Sequence, residues 1–291
     1  MTSIANRLQN ESLIQSAEAF RWYLIYTGID TNIQAGEHEL SPALSAVQIA
    51  HALQVIPEGM ASLTIFPGWR AEEIAAALPL SGLDITPEVF LEAVMRPSSA
   101  IMPDNAPPLT SLEGFLFPGT YYPERDASVE DILGSLIQKF DENITVEIRE
   151  AYTKQGLDLV QAVTLASIIQ RETTIPGEQP IIASVLLNRL ETNMKLETDP
   201  TVQYALGYNT ARDTWWVTPL TLNDLSIDSP YNTYVIDGLP PGPICSPRLD
   251  ALKAVANPAE TPYLYYRARC DDSRQHNFAV TYQEHLQNAC P

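Results

Sequence analysis

The stretch Leu165-Ala166-Ser167-Ile168-Ile169-Gln170-Arg171-Glu172-Thr173 carries an apolar run straight into a carboxylate. At 3.6 residues per turn, Leu165, Ile168, Ile169 and Glu172 fall at i, i+3, i+4 and i+7 and share one helical face. Asp158, at the start of the apolar run, is a good N-cap for this helix. A chain containing such a helix must bury its stripe, which points Glu172 at the core or at a cleft. A carboxylate held among aliphatic groups is penalised for ionising, so its pKa rises and it stays protonated near neutral pH, as a general acid must. The competing reading is a surface glutamate that closes the helix as the stripe drifts outward.

With 291 residues, the chain is long enough for one large domain or two modest ones, and 45% hydrophobic content supplies a core. A net charge of −19 disfavours nucleic acid and anionic membrane surfaces as primary partners; a neutral or zwitterionic ligand fits better. There is neither a Walker-type Gly-Lys-Ser/Thr run nor a GxGxxG opening a helix, which argues against nucleotide chemistry. Cys245, Cys270 and Cys290 form no CxxC pair and no zinc-type spacing, so no structural metal is expected. Cys270 and Cys290 either close a disulfide suited to an oxidising compartment, leaving Cys245 free, or all three remain thiols. No run of about 18 apolar residues occurs, and Arg7, Glu11, Glu18 and Arg21 interrupt the opening segment. The reading is a chain with neither a membrane span nor a signal peptide, which is cytoplasmic or else anchored by a segment outside this chain.

Residues 11 to 27 read as a helix leading into a strand, with Phe20, Trp22, Tyr23 and Tyr26 supplying bulk. An internal repeat follows: Ala46 to Leu53 and Ala71 to Leu78 match at five of eight positions, after turns at Gly36 and Gly68. Each copy reads as strand, turn and short amphipathic helix, and two copies suit a small α+β module better than a solenoid. A helix is expected from Pro87 to about Met95, then a Pro-rich linker or surface loop to Pro108. The aromatics of 112–123 predict an edge strand with a turn, and Ser128 to Gln155 one or two helices. Further helices are expected from about Gln179 to Glu191 and from Leu249 to Ala256. Between them the chain turns rich in Pro, Tyr, Asn, Asp and Thr, the composition of long functional loops. A strand over Tyr263 to Ala268 and a strand or short helix from Phe278 to Leu286 end the chain.

Five motifs then occur in one order: Ala166 to Thr173, Ala183 to Leu190, Leu196 to Tyr204, Ser229 to Tyr234, and Gly238 to Ile244. With Leu112 to Pro118 and the strand-turn-helix of Thr64 to Leu78, they closely resemble the YceG-like family, the endolytic murein transglycosylases, over roughly residues 30 to 285. The resemblance implies an α+β fold: a lead segment (1–30), a LysM-like strand-helix module with linker (31–108) and a mixed α/β lytic transglycosylase catalytic domain (109–291). It implies a membrane-anchored cell-wall enzyme at the outer face of the cytoplasmic membrane, acting on nascent peptidoglycan glycan strands and partnered by wall synthases. No metal or organic cofactor is implied. The family's acid resembles the glutamate ending an Ala-Ser-Ile-(Ile/Val)-Glu-Lys-Glu helix and aligns with Glu172, while Gln170 and Arg171 stand where the family has glutamate and lysine. Because Gln170 cannot titrate, this departure favours Glu172 as the essential group.

Other residues carry paired readings. Tyr231, Asn232 and Tyr234 have the mix of a sugar subsite, or of a loop held by its own hydrogen bonds. Asp199 before Pro200 reads as a helix N-cap, which would turn Gln203 toward the cleft. Glu113 is the best second carboxylate, or a structural partner for Arg189 on a strand ending at Gly114. His276, Glu284 and His285 are conceivable metal ligands, though solvated or core roles fit them better. A hydrolytic muramidase would need Glu113 or Asp199 near Glu172 as base or nucleophile. A catalytically silent glycan-binding regulator of wall synthesis is the third reading, favoured by Gln170.

Overall fold

A computed structural model describes residues 2–31, 33, 38, 40–54, 59–271 and 273–290. The described elements run α1 (Thr2–Asn10), α2 (Ala17–Thr27), α3 (Ala46–Ala52), β1 (Leu63–Ile65), α4 (Ala71–Ser81), α5 (Pro87–Met95) and β2 (Gly119–Tyr121). They continue with α6 (Val129–Asn143), α7 (Val146–Lys154), α8 (Leu159–Glu172), α9 (Gln179–Glu191), α10 (Asp199–Leu206), α11 (Leu249–Ala256), β3 (Tyr265–Ala268), β4 (His276–Ala279) and α12 (Tyr282–Gln287). Helices dominate a mixed α/β fold with two small sheets, β1–β2 and β3–β4. Among the described residues no helix is long and apolar enough to cross a membrane.

The chain divides into two compact units, the first comprising Met1–Thr64, Ala77–Thr86 and Thr120–Ser128. Its first core joins α1, α2 and α3 through Leu8, Phe20, Leu24, Ile49 and Leu53. Where the sequence reads a helix giving way to a strand over 11–27, the structure has α2 running through the aromatic segment. The Ser16 hydroxyl caps its start, Gly28 in the left-handed conformation (φ 71°) ends it, and Phe20 and Leu24, one turn apart, are its buried pair. Burial at helical spacing overrides the β preference of aromatics. In the first repeat copy a Ser45–Gln48 capping box starts α3. The expected turn at Gly36 lies outside the described residues. In the second copy β1, a turn at Gly68 (φ 83°) and α4 follow in the expected order.

The second unit comprises Ile65–Ala76, Pro87–Gly119 and Val129–Pro291. At its centre α8 packs against α7, α9, α10 and α11. A capping box between Asp158 and Gln161 starts α8, and every residue from Ala162 to Ile169 is buried, so the helix is enclosed on all sides rather than along one stripe. That enclosure leaves two hydroxyls to satisfy. Thr164 donates to the Val160 carbonyl (2.7 Å), and Ser167 donates to the Thr164 carbonyl (2.7 Å) while accepting the Ile244 N–H (3.0 Å).

Residues 112–123 depart most from the strand expectation. Only Gly119–Tyr121 is a strand; Leu112, Phe115 and Leu116 are fully buried in a turn through Gly114. Gly114 sits at φ 82°, and a Cβ there would lie 2.3 Å from the Pro243 Cβ, so only glycine fits. The aromatics serve as core plugs, Phe115 meeting Phe140 edge-on at 5.2 Å. The Pro-rich stretch 96–108 is a loop of this unit, where the Asp104 N–H donates to the Asp141 carboxylate. At the chain end β3 and β4 pair antiparallel, with Tyr266 opposite Phe278 and Ala268 opposite His276. Cys270 and Cys290 are disulfide-bonded across α12, and Cys245 is free and buried.

Candidate active site

Glu172 is the last residue of α8 and lies against a cavity of about 500 Å3 in the second unit. The cavity is lined by Glu172, Arg189, Leu196, Glu197, Asp199, Tyr234, Tyr266, Arg267, Ala268, His276 and His285. Burial pushes the Glu172 pKa up to about 8, and the negative charge of Asp199 pushes the same way. A hydrogen bond from Tyr266 and the charge of Arg189 oppose the rise without cancelling it. Glu172 is therefore mostly a neutral acid at pH 7, held at a cavity beside a second acidic side chain.

Each neighbour is fixed by its own element. Asp199 is the first residue of α10, whose N-cap is Thr198 rather than Asp199 as the Asp-Pro pattern suggested. The Thr198 hydroxyl belongs to a buried threonine cluster with Thr201 and Thr233, which positions the helix start and frees Asp199 to accept the Tyr234 hydroxyl at 2.6 Å. Arg189, on α9, is 6% exposed. Its guanidinium donates to the carbonyls of Leu264 (2.6 Å), Lys195 (3.1 Å) and Leu196 (2.9 Å) and pairs with Glu197 (3.4 Å). It thus holds a cation at the cavity wall while tying β3 to the loop before α10. Tyr266 stands on β3, and burial raises its hydroxyl pKa well above the ordinary value, so it remains a donor. The His276 ring meets Tyr266 edge-on at 5.6 Å. Glu178 in turn accepts the His276 N–H and faces its Nδ1, each at 2.8 Å.

The other sequence candidates fall in different places. Glu113 lies in the 112–116 turn, 5% exposed, and accepts the Ala71 N–H at the start of α4 (3.1 Å). It makes no pair with Arg189, whose donors are engaged as above. Burial pushes its pKa up to about 8, against the hydrogen bond from Ala71. The groups around it are Glu72, Arg70, Tyr204 and Tyr231, not those around Glu172. Gln170 accepts the N–H of Arg248, the residue capping α11 (2.9 Å), a role that needs an acceptor and no titrating proton. Gln203 donates to the Val217 carbonyl (2.8 Å) and pins the following loop. Tyr231 packs its ring on Tyr204 at 4.7 Å. Asn232 is fully buried, donates to the carbonyls of Leu225 and Ile227, and accepts the Tyr234 N–H. Of the Tyr231, Asn232 and Tyr234 set, Tyr234 reaches the cavity and Asn232 holds the loop that presents it.

Among the described residues no group of three or more His, Cys, Asp or Glu is placed to hold a metal. His276 is committed to Glu178, and Glu284 closes a capping box with Thr281 at the start of α12. Sequence reasoning missed Tyr266 and Arg189 as parts of the cavity wall, and Glu178 as the partner of His276. Arg189 carried a readable signal, an arginine in an apolar helix, whereas Tyr266 acquires its place only through the β3–β4 hairpin.

The profile of the YceG-like family matches residues 1–290. The chain is 32% identical over 298 residues to a Bacillus subtilis protein named endolytic murein transglycosylase, covering 98% of this chain and 80% of that protein. It is 28% identical over 311 residues to a Streptococcus pneumoniae protein of the same name, covering 98% of this chain and 55% of that one. A crystal structure of a YceG-like protein from Listeria monocytogenes superposes with a TM-score of 0.66 at 32% identity, over 98% of this chain and 94% of that chain.

Proposed function

The chain belongs to the YceG-like family, and from that premise we propose that it is an endolytic murein transglycosylase of the cell envelope with Glu172 as its single acid and base. The observation that carries the reading is the Glu172 carboxyl: it ends the buried helix α8 in an open cavity and has its pKa pushed up to about 8. The relatives' printed names supply the substrate, murein.

The chemistry needs one carboxyl group. Neutral Glu172 donates its proton to the glycosidic oxygen between N-acetylmuramic acid and N-acetylglucosamine, and the C1–O bond breaks with positive charge developing at the muramyl C1 and ring oxygen. The resulting carboxylate takes the proton of the same sugar's C6 hydroxyl as that oxygen bonds to C1. A 1,6-anhydromuramyl end forms, no water is consumed, and Glu172 is again protonated. An internal nucleophile supplies proximity, leaving the protein to orient the ring and stabilise charge. Asp199, held by the Tyr234 hydroxyl, is the charge facing the oxocarbenium-like centre. Tyr266, hydrogen-bonded to Glu172, orients the acid and favours its carboxylate form once the proton has left. Tyr234 is the candidate sugar contact, with Tyr231, Asn232, Gln203, Gln170 and Glu113 shaping the surrounding loops and turns.

The presence of Asp199 in the same cavity favours one second reading, a hydrolytic muramidase in which Asp199 acts on water or on C1. Mass spectrometry of products from uncrosslinked peptidoglycan strands separates the two. Anhydro-ended fragments from the wild type and none from Glu172→Gln are expected. Reducing ends lost in Asp199→Asn would establish hydrolysis, and strand binding without products would leave a glycan-binding protein. The family's membrane anchoring and its wall-synthase partners extend the same proposal, as does assigning glycan binding to the repeat module of residues 31–108.

A further inference from the structure

Residue 171, next to the acid on α8, faces a different set of groups from Glu172. The Arg171 guanidinium lies over the Trp216 ring at 3.7 Å, and Gly68 approaches so closely that a Cβ there would sit 3.2 Å from its Nη1. Arg70, 4% exposed, stands between Tyr204 and Trp215, 4.1 and 4.5 Å from their ring centres. Glu73 accepts both the Trp216 Nε1–H and the Arg70 N–H at 3.0 Å, locking the indole's orientation. Trp215 continues onto Tyr208 at 5.1 Å, and Tyr208 is 43% exposed. Tryptophan rings held by arginines have little conformational entropy left to lose on binding.

Resting on the transglycosylase reading, we infer that Trp215, Trp216 and Tyr208 form a glycan platform that holds sugar rings of the same strand away from the scissile bond. Two elements join the platform to the acid cavity. Arg171 and Glu172 are consecutive on α8, and α10 carries Asp199 at the cavity and Tyr204 at the platform, about 7.5 Å along its axis at 1.5 Å per residue. The two sites are thus neighbours through α8 and α10, and in this proposal one strand spans both. The C–H faces of pyranose rings pack on indole and phenol rings, while hydroxyl and acetamido groups meet guanidinium donors. An enzyme that cuts within strands needs such a grip on sugars distant from the cut, and binding there lowers KM without changing the chemical step.

The test uses the full chain. In Glu172→Gln, uncrosslinked strands are titrated while tryptophan emission is followed; a saturable change is expected, reduced at least about tenfold in apparent affinity by Trp215→Ala. In the active protein Trp215→Ala is expected to raise KM for long strands about tenfold with kcat held within twofold, and Trp215→Phe to restore KM. Parent-like affinity and KM in a folded Trp215→Ala overturn the platform, as does unchanged emission on strand binding to Glu172→Gln should Trp215→Ala fail to fold. Anhydro products with unaltered KM in Trp215→Ala refute the platform alone. Strand binding sensitive to Trp215, without anhydro products from the wild type, refutes the transglycosylase reading alone.

Discussion

Two carboxyl groups have their pKa pushed up to about 8 by burial, and the structure uses them differently. Glu172 opens onto a cavity, whereas Glu113 holds the first N–H of α4 and leaves its Oε1 without a partner. With Glu172 as the proposed acid, active only while protonated, kcat/KM is expected to fall about tenfold per unit above about pH 8. A pH–rate profile on strands checks this, and a falling limb centred well below pH 8 would mean that the essential proton donor does not have the raised pKa of Glu172. Stability follows the same shifts. A carboxyl whose pKa rises from 4.5 unfolded to about 8 folded binds more protons in the native state between those values, so the chain loses stability as pH rises through that window. Glu113→Gln removes one such penalty while keeping an acceptor for Ala71. Its melting temperature relative to wild type is expected to improve steadily from pH 4.5 to pH 8, with turnover on strands unchanged. A difference that does not vary with pH would mean Glu113 is already ionised in the folded protein.

At the scale of elements, α8 was legible because three local signals agree: Asp158 as cap, an apolar run and a terminal carboxylate. Asp158→Ala is accordingly expected to cost about 1 kcal/mol in urea unfolding, leaving turnover per folded molecule intact. The same agreement made α5, α9 and α11 readable from Pro87, from the turn before Gln179 and from helical spacing. Where local signals conflict, tertiary contacts decide. The aromatics of 20–26 and 112–117 have strand propensity, yet the first packs as a helix face and the second plugs a core. Gly114 shows why no local pattern could reveal the second case: its requirement comes from Pro243, more than a hundred residues away. Gly114→Ala is expected to cost about 3 kcal/mol, from the left-handed backbone and the overlap together. Unfolding at wild-type denaturant concentration would show that the turn relaxes. The carboxyl that ends α8 was readable in the sequence; the placement of Tyr266 and Asp199 beside it was not, because it depends on the hairpin and a threonine cluster that no sequence spacing announces.

At the scale of the whole chain, the closing segment is what surrounds the acid with walls. β3 brings Tyr266 and Arg267 to the cavity, β4 brings His276 and α12 brings His285, whose pKa is lowered by burial and by the nearby charges of Arg267 and Arg189. The Cys270–Cys290 bond ties the hairpin to the end of α12, and Cys245, buried against the Ser167 carbonyl, takes no part. A bridge of this kind persists in an oxidising compartment, which fits a cell-envelope enzyme. Closing a loop of 20 residues stabilises a chain by about 3 kcal/mol in the loop-entropy account. Reduction should therefore loosen α12 and the hairpin first, because outside their own cluster they pack mainly through β3 against α9. The expected outcome of treating the folded protein with a phosphine reductant is a lower melting temperature and a fall in kcat on peptidoglycan strands. Tryptophan emission should stay native, because Trp215 and Trp216 are held by Arg70, Arg171 and Glu73 rather than by the closing segment. Unchanged turnover with both thiols shown to be free would mean that the hairpin holds Tyr266 against Glu172 without its covalent tie.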